Sequence, residues 1–220
     1  MQKLSKRLLT CASLVNKGAR LADVGCDHGY VPVYLVEQGL IENAVASDIN
    51  EGPLNSCKSL VKMQGLENRI KCVLSDGLEK IELDDIDDIL IAGMGGILIY
   101  EILDSCDFEK LKNKHLILNP MTHPEEARLF LYNYGFRINN DIIVEDSGHH
   151  YNVMDAYYTG VIDDYDHDDF RLACWLGNIK DFSDKEYFLH LINYFKNMEK
   201  GGADYSVEIK AIEEKLNDNG

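Results

Sequence analysis

Leu21-Ala22-Asp23-Val24-Gly25-Cys26-Asp27-His28-Gly29-Tyr30-Val31-Pro32 sets the pattern that the chain follows. A short apolar run over residues 19–24 stops at a glycine-rich turn, and Pro32 stands where it can open a helix, because its missing N–H and fixed φ suit the first turn. Strand, tight turn and helix in that order begin a βαβ unit. The spacing predicts that the rest of the chain repeats it.

Working outward, the alternation continues. Apolar runs at residues 43–49, 70–74, 89–92 and 116–118 have strand length, and the stretches 53–63, 97–103 and 124–134 between and after them have helical spacing. An amphipathic opening over residues 4–15 precedes the first strand. Strands separated by helices of this length imply crossovers and a mostly parallel sheet. After Gly135 two β-like runs, residues 136–145 and 151–159, flank Asp146-Ser147-Gly148 and predict an antiparallel hairpin on the sheet edge. The acidic run at residues 163–169 reads as a boundary. Beyond it Phe188, Leu191, Ile192, Phe195 and Met198, then Tyr205, Ile209, Ile212 and Leu216, follow helical spacing around Gly201-Gly202. The expectation is an α/β domain over residues 1–162 and a helical hairpin, of coiled-coil type, over residues 163–220.

A glycine turn after the first strand of such a sheet marks a nucleotide-type cofactor, since ligands bind at the carboxyl ends of the strands near the switch point. Dinucleotide folds place a glycine at the middle of G-x-G-x-x-G so that the backbone can approach a pyrophosphate; here Gly25 and Gly29 flank Asp27 instead. A carboxylate there repels a pyrophosphate and disfavours an NAD oxidoreductase. It attracts a ligand carrying an ammonium and a sulfonium, which S-adenosylmethionine has. Asp48, about 20 residues on and followed by Ile49, can take two ribose hydroxyls. Asp76 and Gly77 after the third strand can take an adenine amino group. Each acid alone could equally cap a helix or shape a turn; three at successive strand ends point to one ligand. Gly93 and Met94, within Ala92-Gly93-Met94-Gly95-Gly96, fall where the reacting methyl belongs, and Asn119-Pro120 ends the fifth strand. The candidate cofactor residues are therefore Asp23, Gly25, Asp27, His28, Asp48, Ile49, Asp76, Gly77, Gly93 and Met94, defining a Rossmann-like class I methyltransferase.

Composition bounds the partners. The 220 residues include 45% hydrophobic and 27% charged, an ordinary globular balance that excludes a disordered chain. No apolar stretch reaches the roughly 18 residues of a membrane span, and the first residues lack a signal-peptide core, so a cytoplasmic protein without membrane contact is expected. Six widely spaced cysteines form no C-x-x-C pair and read as free thiols. The histidines show no H-E-x-x-H or Cys/His spacing, so no metal is expected. The net charge of −16 is unfavourable for a polyanionic partner, but residues 1–80 hold 10 basic and 9 acidic residues, so the acid lies later in the chain. Lys3, Lys6 and Arg7 open the chain with no acid before Asp23, and are the candidate phosphate contacts; a solvated helix face is the alternative.

The segments Leu4-Ser5-Lys6-Arg7-Leu8, Ala22 to Pro32, Ser47-Asp48-Ile49 with Gly52-Pro53, Asp76-Gly77-Leu78, Ile91 to Gly96 and Pro120 resemble the bacterial tRNA (adenine-N1)-methyltransferases that modify adenine 22. Asp27-His28-Gly29-Tyr30 and Ala92-Gly93-Met94-Gly95-Gly96 are the specific parts, and the resemblance covers nearly the whole chain. It implies a tRNA substrate, S-adenosylmethionine as donor, and a methyltransferase domain followed by a coiled-coil hairpin. Two positions depart from the family: Asn119 stands where glutamine is usual, and Tyr151-Asn152 stands in place of Tyr-Glu. On this resemblance Asp27, Tyr30 and Asn119 are the expected catalytic residues: Asp27 with His28 orienting the cofactor's amino-acid end, Tyr30 against the target base, Asn119 at the base edge. A methyltransferase of small molecules or proteins, and a non-catalytic RNA-binding protein keeping the fold, are the competing readings. The sequence leaves the assembly between a monomer and a weak dimer.

Overall fold

The protein, as a computed structural model, is described over residues 3–218; the outer limits expected for the two domains, residues 1 and 220, lie outside the described residues. In chain order the elements are α1 (Lys6–Leu14), β1 (Leu21–Val24), α2 (Tyr30–Glu37), β2 (Ala44–Asp48), α3 (Glu51–Met63), β3 (Ile70–Leu74), β4 (Asp88–Met94), α4 (Gly96–Asp104), α5 (Phe108–Leu111), β5 (His115–Pro120), α6 (Pro124–Asn133), β6 (Phe136–Asp146), β7 (His149–Tyr158), α7 (His167–Leu176), α8 (Lys185–Glu199) and α9 (Ser206–Asp218). A short 3₁₀ turn at Leu83–Asp85 precedes β4.

The seven strands form one sheet in the order β3-β2-β1-β4-β5-β7-β6. β1 through β5 pair in parallel, and β7 joins β5 and β6 antiparallel. Helices cover both faces, so β1 is buried at all four positions rather than at alternate ones, the Asp23 carboxyl included. One apolar cluster lies under α4 and α6 around Ile89, Ile91, Leu116 and Leu118, and a second under α1, α2 and α3 around Leu21, Ala46, Leu90 and Ile117. The strand order reverses between β1 and β4. That switch point opens a crevice at the carboxyl ends of β1, β2 and β4.

Two sequence expectations shift. α2 starts at Tyr30, two residues before Pro32, because Gly29 with φ 71° supplies the turn into the helix. The acidic run is also more than a boundary. Asp166 caps α7, its carboxylate accepting from the amides of Asp168 and Asp169, and those two acids sit in the first turn, where the helix dipole favours them. The described residues of the C-terminal region therefore form three helices. They share an apolar cluster of Leu176, Phe182, Phe188, Ile192, Phe195, Ile209 and Ile212. Phe195 stacks on Tyr205 at one end, and Lys215 lies over Phe182 at the other, so α8 and α9 run antiparallel as a hairpin.

α6 joins this region to the sheet through Arg128, which is fully buried. Its guanidinium donates to both carboxylate oxygens of Asp141 on β6, at 2.8 and 3.1 Å, and to the carbonyls of Cys174 and Trp175 at the end of α7, at 3.1 and 3.0 Å. Terminal helix carbonyls, which have no partner within their own helix, are thereby satisfied.

At the opposite edge from the crevice, His115 on β5 lies between Asp88 and Asp155, with Nδ1 3.1 Å and Nε2 2.9 Å from their carboxylates. Burial alone would depress its pKa, but the hydrogen bonds to Asp155 and Asp88 outweigh it and raise the value to about 9. A histidine whose folded pKa is raised contributes stability that is full below its unfolded value near 6.5 and is lost as pH climbs through about 9. The melting temperature is expected to fall between pH 7 and pH 9.5, and His115→Gln to flatten that fall; equal slopes in calorimetric scans would contradict the assignment.

Candidate cofactor and base site

The turn after β1 is built for close approach. Gly25 has φ 71°, and a Cβ there would lie 2.1 Å from Cε of Met94, so the end of Met94 rests on the bare glycine backbone. Across the crevice Gly96 opens α4, and a Cβ on it would come 1.8 Å from the carbonyl oxygen of His123, a backbone atom that cannot yield. The Gly96 amide donates to the Thr122 carbonyl at 2.7 Å. Glycine at 96 thus joins the β4 and β5 loops into one wall.

Asp23 lies within β1, Asp48 is the last residue of β2, and Asp76 stands two residues past the end of β3. Asp23 is 5% exposed; burial, reinforced by the nearby Asp48 charge, raises its pKa to about 7. Asp48 is 8% exposed and accepts from the amides of Asn50 (2.8 Å) and Asp27 (3.3 Å). Asp76 is exposed and, with Gly77, Leu98 and Ile102, lines a cavity of about 700 Å³. Ile49 presents an apolar side chain that is 58% exposed beside Asp48. Asp27 adopts a left-handed conformation, φ 50°, which a short polar side chain tolerates better than a bulky one. Its carboxylate is 3.6 Å from Nε2 of His28, and the His28 ring stacks on Tyr30 with centroids 5.2 Å apart. Asp27, His28 and Tyr30 are brought together at the mouth. Gly93, φ 84°, lies in a bulge between Ala92 and Met94 that turns β4 out of register.

The acids and glycines fit a cationic nucleoside. An acidic crevice would repel the pyrophosphate of a dinucleotide, whereas the sulfonium and ammonium of S-adenosylmethionine complement it. Among the described residues no group of three or more His, Cys, Asp or Glu could hold a metal ion.

Asn119 and Arg7 need revision. Asn119 is fully buried, and both ends of its amide are engaged: Oδ1 accepts from Arg7 Nη1 at 2.5 Å, and Nδ2 donates to the Asn152 carbonyl at 2.7 Å. It does not reach a surface where a base edge would lie. Arg7, expected as a phosphate contact, turns inward over the Tyr151 ring at 5.6 Å, while its backbone amide donates to Asp146. Lys3 and Lys6 remain exposed, and Lys6 is paired with Glu145 at 3.0 Å. The inward turn of Arg7 leaves no mark in the sequence, because a count of charges carries no direction. Position 152 has a structural role that the sequence does not announce. Asn152, 2% exposed, accepts from the Tyr187 hydroxyl at 3.1 Å and donates to Asp141 at 3.4 Å, linking α8 and β6 to Asn119. Its place beside Tyr151, where the family pattern departs, was the one available signal.

A doubly wound sheet with acids at three successive strand ends around a glycine turn defines a class I methyltransferase. Residues 4–154 match the family model described as a methyltransferase domain. The tRNA (adenine(22)-N(1))-methyltransferase of Bacillus subtilis is 39% identical over 166 residues, spanning 72% of this chain and 70% of that protein. The crystal structure of the B. subtilis M1A22 tRNA methyltransferase TrmK superposes with a TM-score of 0.81 at 30% identity, covering 99% of this chain and 97% of that one. The M. capricolum TrmK in complex with S-adenosyl-homocysteine superposes at 0.78 with 28% identity, over 98% and 96%. The chain belongs to the bacterial tRNA (adenine(22)-N(1))-methyltransferase family.

Proposed function

We propose that this protein transfers the methyl group of S-adenosylmethionine to N1 of adenine 22 in tRNA, in the cytoplasm. The observation behind this reading is the crevice at the switch point, where Asp48 accepts from the amide of Asp27 in the glycine turn, Asp23 lies close to Asp48, and Met94 of β4 rests on Gly25. The described helices include none long and apolar enough to cross a membrane. The proposal includes the division at residue 162: β6 and β7 complete the catalytic sheet, and α7 to α9 have an apolar cluster of their own.

The bound cofactor supplies an electrophilic methyl on a sulfonium. Adenine N1 already carries a lone pair, so the chain need not provide a strong base, and alignment is its main task. Asp48 accepts the two ribose hydroxyls and Asp76 the adenine amino group, while Ile49 covers the adenine face. Asp23 and Asp27, with His28, hold the ammonium end. Gly93 and Met94 leave room for the incoming base. N1 lies on the Watson–Crick edge, so the adenine must be unpaired or extruded, and Tyr30, stacked on His28 at the mouth, offers it a ring face. Asp27 also places negative charge beside the ring that becomes cationic. Asn119 acts through Arg7, which it holds against Tyr151.

Asp23 couples cofactor binding to pH. The free protein holds its carboxyl largely neutral below about pH 7, and an arriving cation favours the carboxylate, so binding releases a proton in that range. Affinity is expected to rise up to about tenfold per pH unit toward pH 7 and to level off above it. Calorimetry at pH 6.5 in buffers of different ionisation enthalpy should register the proton; a pH-independent affinity would remove Asp23 from the site.

The function is tested by incubating the protein with labelled S-adenosylmethionine and, in separate reactions, unmodified tRNA, free adenosine and unfolded protein. Label should enter tRNA alone. Label in another acceptor, or no calorimetric binding of the cofactor, would overturn the proposal.

A further inference from the structure

A second cleft lies beyond Pro120, between the ends of β5 and β7, the start of α6, and helices α7 and α8. Its volume is about 370 Å³, within the range of small-ligand sites. Tyr151, Trp175, Tyr187 and Tyr194 line it with rings, and Trp175 and Tyr194 lie 5.8 Å apart between centroids. Glu125 supplies the charge. Its Oε1 is 2.9 Å from His123 Nδ1, while Oε2 is buried without a hydrogen-bond partner among the described residues. A buried carboxylate oxygen lacking a donor is unfavourable, so a ligand that brings an N–H is favoured there. His123 is itself held in a left-handed conformation, φ 53°, which fixes the entry to α6 at this place.

We propose that this cleft is a subsite for one unpaired nucleobase of the RNA neighbouring the target adenine, stacked on the aromatic walls with an N–H edge on Glu125. The inference rests on the tRNA reading above and adds to it where the RNA is gripped. Charge argues for a base rather than a phosphate. Residues 81–220 carry 12 basic against 29 acidic side chains, so phosphate contact is poorly supported there, whereas stacking needs no positive surface. The cleft also connects to the reacting site. Tyr187 on its wall donates to Asn152, whose carbonyl holds Asn119, which holds Arg7. A base seated against Tyr187 is thus linked through Asn152 and Asn119 to Arg7, which lies over Tyr151 on the cleft wall.

Trp175 is the single tryptophan of the chain, so its fluorescence reports on the cleft directly. Titrating the full-length protein with unmodified tRNA should quench it saturably. Tyr194→Ala, at a residue 37% exposed and so tolerant of truncation, should raise KM for tRNA about tenfold while kcat and S-adenosylmethionine affinity change less than twofold. Glu125→Gln should raise KM in the same way. The dependence of KM on salt should be unchanged in both, because no phosphate contact is lost. Unquenched Trp175 at saturating tRNA, or a Tyr194→Ala variant with lowered kcat and unchanged KM, would overturn the proposal. A wild-type protein that quenches with tRNA but never methylates it would keep the cleft and refute the function reading instead.

Discussion

Replacing Asp48 by alanine is expected to weaken S-adenosylmethionine binding by at least about 100-fold while leaving KM for tRNA nearly unchanged. The proposed role gives Asp48 two charge-assisted hydrogen bonds to the ribose, each worth about 1.5–3 kcal/mol, and 1.4 kcal/mol is tenfold in affinity. Asp48 also fixes the turn that carries Asp27, whose amide it accepts at 3.3 Å, and the start of α3 through Asn50. Alanine removes both functions. Asp48→Asn keeps the shape and one acceptor, so it should fall between alanine and wild type. Calorimetric titration measures the series directly; wild-type affinity in Asp48→Ala would show that the second strand end does not hold the nucleoside.

The second large effect is on stability. Arg128→Leu leaves the buried Asp141 carboxyl without its cation, and strips the end of α7 of the donor shared by the Cys174 and Trp175 carbonyls. Breaking a buried pair from one side costs about 3–5 kcal/mol. For a chain of this size the melting temperature should drop by roughly 2–4 °C per kcal/mol. Restoring charge balance with Arg128→Leu and Asp141→Leu together should recover a large part of the loss, since replacing both partners by apolar groups is often near neutral. Denaturant unfolding of the two single variants and the double variant forms the cycle. Independent, additive losses would show that the pair is not coupled, and no loss at all would show that α7 does not depend on this bridge.

Much of this architecture is written locally. Apolar runs ended by glycines at 25 and 93 predict strands whose carboxyl ends carry the ligand, because periodicity and turn chemistry act within a few residues. The same local logic places Asp23, Asp48 and Asp76 together, since parallel strands bring their carboxyl ends to one edge. Direction of side chains is not local. Arg7 faces inward only because β5 and β7, more than 100 residues away, deliver Asn119 and Tyr151 beneath it. Asn152 owes its role to three elements meeting at one buried atom set, which no spacing announces. α7 was obscured for a different reason. Its capping acids resemble a polar linker until the helix behind them is seen to pack on α6 through Arg128.

The position of the transferred methyl distinguishes this enzyme from every other methyltransferase of its fold. Unmodified tRNA incubated with the protein and S-adenosylmethionine can be read by reverse transcription, because a methyl on adenine N1 blocks the Watson–Crick edge and arrests synthesis, and by mass spectrometry of the digested nucleosides. N1-methyladenosine is expected at position 22, with the arrest one nucleotide before it, and no arrest when the cofactor is omitted. A methyl on another base, on another atom of adenine, or on no nucleotide of the tRNA would contradict the proposed function.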